Sequence, residues 1–228
     1  MENNISDILR GRNVLITAGP THEAIDPVRY ISNYSTGKMG YALAEACLTR
    51  GAEVSLISGP VHLAAPEGLL LFQPVISAEE MYRAAKACFE QADIVIFSAA
   101  VADYRPAQIA GSKIKSHSDA LELRLEKTTD IAFELGKRKR PGQFLVGFAL
   151  ETENELEHAR QKMEKKNLDL IVLNSLNDKG AGFAFDTNKV SVIDRDNKIH
   201  NFGLKLKTEV ANDIIQLICE KLDTNEST

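Results

Sequence analysis

The chain has 228 residues, 44% of them hydrophobic, with a formal net charge of −5 and only three cysteines. That length buries a sizeable core and favours one α/β domain over two, while no stretch reaches the roughly 18 uninterrupted apolar residues of a membrane span. The acidic balance argues against nonspecific nucleic-acid binding. Cys47, Cys88 and Cys219 are far apart and each sits among apolar neighbours in a predicted helix, so they read as core residues and not as a disulfide or zinc framework. The histidines are scattered without metal-ligand spacing, and His22, near the first turn, reads as a surface residue. The start, MENNISDILRGRN, lacks the apolar core of a signal peptide, so a cytoplasmic protein with no membrane partner is expected.

Residues 1–11 read as a flexible N-terminal segment, 12–222 as a single domain and 223–228 as a flexible tail. The first strand, 13–18, is the apolar run around Val14, Leu15 and Ile16, and Gly19-Pro20-Thr21 turns the chain at its carboxyl end, where open α/β sheets hold their ligands. The loop that follows offers Thr21, Asp26, Arg29, Asn33, Ser35 and Thr36 before Gly37 opens a helix over 37–50. Hydroxyls, an amide and unsatisfied helix N–H groups suit a phosphate-bearing ligand. Where the Walker pattern requires an earlier glycine and a Ser or Thr after the lysine, Ser32 and Met39 stand. Of the dinucleotide pattern only Gly37-Lys38-Met39-Gly40 is present, so a generic GTPase or dehydrogenase is disfavoured. Gly37 and Gly40 can also be read as mere close-packing positions.

Further strands are expected at 53–58, 69–74, 93–99, 143–149 and 169–174, and helices at 78–91, 129–138, 153–167 and 205–222. This alternation predicts an α/β fold, a doubly wound, mostly parallel Rossmann-like sheet. Strand 93–99 empties into small residues and Asp103, which suits a ribose hydroxyl, a metal or simply a turn cap. Lys113 and Lys115 point the same way if the chain there is extended, as a clamp on polyphosphate or as a solvated basic loop. Residues 119–127 alternate apolar and charged, predicting a half-exposed strand in an arm or at a sheet edge, so that a protruding β arm or hairpin is expected beside the main sheet. Thr128 or Thr129 is the expected N-cap of the next helix with Asp130 in its first turn, and Lys162, Lys165 and Lys166 complement the end of helix 153–167. Segments 190–193 and 197–202 flank a turn at 194–197, predicting a late hairpin.

Five segments together, AGPTHEAIDPVRYISNYSTGKMG at 18–40, SAAVADYRP at 98–106, KIK at 113–115, VGFALETEN at 146–154 and KKNLDLIVLN at 165–174, resemble the phosphopantothenoylcysteine synthetase family over roughly 12–222. The resemblance is to the bacterial type, usually fused behind a flavin-dependent decarboxylase. It implies a ligase of coenzyme A biosynthesis that joins 4′-phosphopantothenate to cysteine, with CTP activating the carboxylate as an acyl-cytidylate and CMP leaving when the amine attacks. By that resemblance Asn33, Lys113 and Arg29 are catalytic or supporting residues. Phe97, Ser98, Ala99, Asp103, Lys113, Thr129, Asp130, Ile131, Ala132, Phe148, Lys162 and Lys166 are nucleotide-binding, and Asn33, Ser35, Thr36 and Gly37 take phosphopantothenate. Mg2+ is implied by the triphosphate, with no metal ligands assigned beyond a contact at Asp103.

The family's Lys-x-Lys-Lys reads Lys113-Ile114-Lys115-Ser116 here, so the division of work between the two lysines is open, as is CTP against ATP. A homodimer with a shared site is expected, because an exposed ribbon at 119–127 needs a cover and related enzymes dimerise. Two alternatives stand beside the ligase: a nucleotide-binding module without catalysis, and a Rossmann-like reductase. The second is weakened by Val54 to Gly59, which lacks the acid expected about 20 residues past the glycines.

Overall fold

A computed structural model of the chain describes residues 8–115, 120–151, 154–175 and 185–226. The first half runs β1 (Asn13–Ala18), β2 (Glu23–Ala24), β3 (Tyr30–Ile31), α1 (Lys38–Thr49), β4 (Glu53–Ser58), β5 (Leu71–Pro74), α2 (Ala78–Phe89) and β6 (Ile94–Phe97). The second half runs β7 (Tyr104–Pro106), β8 (Leu125–Lys127), α3 (Ile131–Gly136), β9 (Phe144–Glu151), α4 (Glu155–Lys165), β10 (Leu170–Ser175), β11 (Thr187–Asp194), β12 (Ile199–Leu206) and α5 (Lys207–Glu226).

Eight strands form one sheet in the order β12-β11-β10-β9-β6-β1-β4-β5. From β5 to β10 the pairings are parallel, and β11 and β12 close that edge antiparallel. The parallel strands are near-continuous apolar runs because both faces are covered. Val14, Ile16, Val54, Leu56, Ile94 and Ile96 face α1 and α5, while Leu15, Ile57 and Val95 face the layer of α2, α3 and α4. This is the expected doubly wound α/β fold, and the late hairpin is β11–β12. Its turn closes because Asn197 takes the left-handed conformation at φ 62° and Asp194 Oδ1 accepts from Lys198 N–H at 2.9 Å.

Two expectations are corrected. Of 119–127, residue 119 lies outside the described residues and only Leu125–Lys127 is a strand, paired antiparallel with β7 in a separate two-stranded ribbon. Period-two alternation marks an exposed surface pattern, and a ladder needs a partner of matching length, which Tyr104–Pro106 limits. The N-cap of α3 is Asp130, whose carboxylate accepts from Phe133 N–H at 3.1 Å, and not Thr128 or Thr129. At the ends, Leu9 is fully buried within what was expected as a flexible 1–11 segment, and α5 continues to Glu226, past residue 222.

Candidate functional site

Counted in chain order, the six parallel strands lie 3-2-1-4-5-6, so the topology switches direction between β1 and β6. Ligands of open α/β sheets bind in the crevice beyond the carboxyl ends of the strands at such a point. Here the two strand ends stay paired past the sheet: Ser98 N–H donates to Thr17 C=O at 3.1 Å and Ala100 N–H to Gly19 C=O at 2.9 Å. A cavity of about 790 Å³ opens above them and extends over the ends of β9 and β10.

The glycines bring the helix to the strand end. Gly19 and Gly37 both have positive φ, 74° and 77°, and a Cβ on Gly37 would stand 3.5 Å from Gly19 Cα. The β2–β3 hairpin is therefore an insertion looped out between the first two glycines of a strand-to-helix turn, and Gly40 is the third. A Cβ on Gly40 would meet Ala18 Cβ at 2.5 Å, so close packing is part of the role of that glycine. Gly40→Ala should cost about 2 kcal/mol through overpacking, offset in part by the ~1 kcal/mol that alanine gains over glycine in a helix, for a net loss of about 1 kcal/mol. Thermal melting tests this: a drop of about 3 °C is expected, and an unchanged or higher melting temperature refutes it. At β4 the loop comes closer still, since a Cβ on Gly59 would lie 1.6 Å from Pro20 C=O. That carbonyl covers the strand end where a dinucleotide would lay its adenine ribose, which disfavours the reductase.

Most of the residues expected at a site line this one cavity. Asn33, Ser35, Thr36 and Gly37 come from the loop, and Phe97, Ser98, Ala99 and Asp103 from the β6 exit. Thr129, Asp130, Ile131 and Ala132 lie where α3 begins, with Phe148 on β9, Lys162 on α4 and Lys166 at its C-cap. The lysines are held by carboxylates: Lys162 pairs with Glu151, and Lys166 with Asp130 at 3.0 Å. Arg29 and Lys113 are not brought in; neither lines the cavity. Lys127 and Lys207 line it and went unnoticed in the sequence; Lys38, seen only within a glycine pattern, and Lys165, read only as complementing a helix end, line it too. Lys207 is nearly buried, donates to Phe185 C=O at 2.6 Å, and burial lowers its pKa. Nothing in its sequence neighbourhood marks it, because it reaches the cavity only through the sheet topology.

The loop is fastened by its own polar side chains. Thr21, 0% exposed, accepts from Ala102 N–H through Oγ1 at 3.0 Å, and Thr128 Oγ1 donates to Ala102 C=O at 2.6 Å. Asn33 Nδ2 donates to Ala100 C=O at 3.0 Å and Val101 C=O at 3.1 Å. Asp26 is buried, pairs with Arg29 and accepts from the N–H groups of Val28 and Arg29. Thr21 and Asp26 thus serve as inward anchors and not as the ligand-facing groups their polarity suggested. The Arg29 guanidinium, aided by backbone N–H groups, holds the Asp26 carboxyl far below the usual carboxylate range. Its contribution to stability is in place at all pH values above that range and is lost only as pH falls through the depressed value. His22, half-buried, stacks on Tyr30 at 3.8 Å, and burial lowers its pKa.

Residues 9–222 match the family described as DNA/pantothenate metabolism flavoprotein C-terminal domain. A relative named cysteine/cysteine sulfinic acid decarboxylase, from an unknown prokaryotic organism, is 52% identical over 92% of this chain and 58% of its own length. The coenzyme A biosynthesis bifunctional protein CoaBC of Bacillus subtilis (strain 168) is 49% identical over 92% of this chain and 52% of its own. The solved C-terminal domain of a CoaBC protein is 40% identical, with a TM-score of 0.82 over 96% of this chain and 99% of that domain. The chain spans about half the length of the curated relatives it matches. Among the described residues no helix is long and apolar enough to cross a membrane. Because the match runs from buried Leu9 to Leu222 of α5, across the sheet and both helix layers, the chain belongs to the DNA/pantothenate metabolism flavoprotein C-terminal domain family.

Proposed function

We propose that the chain is a phosphopantothenate–cysteine ligase of coenzyme A biosynthesis that uses CTP. The observation that carries this reading is the cavity at the switch point, walled by the amide and hydroxyls of Asn33–Thr36 on one side and by Lys162 and Lys166 on another. Its volume, about 790 Å³, falls in the range of pockets that enclose a small ligand. The names of the CoaBC relatives support the same assignment. In the first step a carboxylate oxygen of 4′-phosphopantothenate attacks the α-phosphorus of CTP and pyrophosphate leaves, giving the acyl-cytidylate. In the second, the cysteine nitrogen attacks the acyl carbon, the C–O bond to phosphate breaks, CMP leaves and the ammonium proton is lost to solvent. Neither step needs a side-chain nucleophile, so positioning and charge stabilisation by the cavity walls supply the catalysis.

Among the described residues no cluster of three or more His, Cys, Asp or Glu side chains is suited to a metal. That fits Mg2+ arriving on the triphosphate and held there by few protein oxygens, with Asp103, one of two aspartates lining the cavity, the one that would contact it. The ion would neutralise triphosphate charge. CTP over ATP is carried by the resemblance to the bacterial type. Three free cysteines fit a reducing, cytoplasmic setting, and a flavoprotein decarboxylase is the proposed partner domain.

The active form is proposed to be a homodimer. Tyr34 is 93% exposed, and Val28, Tyr30, Tyr104, Ile109, Leu121, Leu123 and Leu125 are also exposed on the loop and ribbon, an apolar surface that a second copy would cover. Arg29 and Lys113, outside their own chain's cavity, would then serve the partner's.

Incubating the chain with CTP, Mg2+, 4′-phosphopantothenate and cysteine tests the assignment. Pyrophosphate and CMP should appear in equal amounts and only when phosphopantothenate is present. A silent mixture, or pyrophosphate release independent of phosphopantothenate, would overturn it.

A further inference from the structure

Ile114 is gripped at both ends of its backbone. Its N–H donates to Asp26 Oδ2 at 3.1 Å, and its C=O accepts from Arg29 Nη2 at 3.0 Å. Asp26 Oδ2 also accepts from Arg29 Nε at 3.0 Å and pairs with Arg29 Nη2. The other oxygen, Oδ1, accepts the N–H groups of Val28 and Arg29 at 2.9 Å each. The Asp26 side chain is 0% exposed, so it is the fixed point of this arrangement, and the more exposed Arg29 is the reach. A guanidinium presents its donors in a rigid fork, which lets one nitrogen serve both the carboxylate and the carbonyl of Ile114.

Lys113 and Lys115 flank the gripped residue, and both are exposed. An exposed lysine carries a flexible stem, so its reach is set by where its backbone is held. The geometry points to Asp26 as a positioning residue: through Arg29 and the backbone of Ile114 it fixes the place from which Lys113 and Lys115 meet the phosphates of the nucleotide. The lysines' target rests on the ligase reading; the grip on Ile114 does not.

Asp26→Asn in the full chain separates the parts. Asparagine keeps its size and, through Oδ1, the two turn bonds from Val28 and Arg29. Its Nδ2 would then oppose the donors of Arg29 and Ile114. Amide hydrogen exchange read by mass spectrometry should quicken about tenfold or more in peptides covering 113–115, the loss of a hydrogen bond to a charged group, with peptides of β1 and β6 unchanged. In pyrophosphate-release assays the KM for CTP should rise about tenfold while the KM for cysteine stays, a split that a smaller folded fraction does not produce. Unchanged exchange at 113–115 would overturn the grip, and faster exchange with an unchanged KM for CTP would overturn the positioning role. If β1 exchange also rises, Arg29→Lys decides instead, because it keeps a cation for Asp26 and removes the fork that reaches Ile114. A wild-type chain that releases no pyrophosphate defeats the ligase reading, while the exchange result still decides the grip.

Discussion

Replacing Lys113 by glutamine is expected to abolish formation of the acyl-cytidylate, with the pyrophosphate burst falling about 10²–10³-fold, the usual loss when one charge-stabilising donor is removed from a reacting anion. Displacement at the α-phosphorus leaves the departing pyrophosphate with more negative charge than it carried in CTP. A fixed cation beside it is therefore worth more in the transition state than in the bound substrate. Glutamine keeps most of the stem and a donor but no charge, so the loss should fall on the first step. Lys115→Gln should be milder, by the match of Lys113 to the family's essential lysine. The structure makes this ranking a sharp test. Both lysines are exposed and both hang from the same clipped residue, Ile114, so neither is favoured by burial or by an ion pair among the described residues. Ser116, where the family carries a further lysine, lies outside the described residues. Equal losses in the two variants, or a larger loss at Lys115, would refute the assignment.

The fold was legible because its signals are local. Val14–Ile16 and Val54–Ile57 are runs that only a sheet covered on both faces uses, and α1 runs Lys38–Thr49 inside the expected 37–50, with Gly51 after it at φ 78°. The ribbon was overextended because alternation along 119–127 reports which side chains face water and says nothing of how many Tyr104–Pro106 can pair with. At the site, the strand-end loops were found and their inner logic was not. Gly19 and Gly37 form one turn, yet a hairpin separates them in sequence, so no fixed-spacing pattern detects them. Thr21 and Asp26 are polar loop residues like Ser35 and Thr36. Only their burial against Ala102 and Arg29 distinguishes an anchor from a ligand-facing group. Lys207 enters the cavity from the far end of the chain, and that proximity is created by β10 lying next to β9.

Asn33→Asp should release pyrophosphate and then stall, accumulating acyl-cytidylate that mass spectrometry of the quenched reaction detects. The reason lies in what the amide does. Its nitrogen has two hydrogens, and they go to Ala100 C=O and Val101 C=O, tying the loop to the β6 exit. To stabilise the oxyanion that forms when cysteine attacks, one of these hydrogens must turn or be shared toward the acyl oxygen. A carboxylate at this position does neither. It repels the oxyanion and has no hydrogens for the two carbonyl oxygens that accepted from the amide, so about 10²–10³-fold should be lost from the second step. Asn33→Ala separates anchoring from chemistry, because it frees the loop without adding charge. If the amide only anchors, both variants slow both steps alike and no intermediate builds up. Mixing then tests the shared site. Asn33 lines its own cavity while Lys113 does not, so a dimer of one Asn33→Asp chain and one Lys113→Gln chain should contain one site with both residues intact if Lys113 serves the partner. Two inactive preparations should regain activity on mixing, approaching a quarter of wild type when half the dimers are mixed and each carries one intact site of two. Light scattering that returns a monomer mass at working concentration would sink the dimer. A dimer whose mixed form stays inactive would place Asn33 and Lys113 of one chain at the same site, reached by movement of the clipped segment and not by a second subunit.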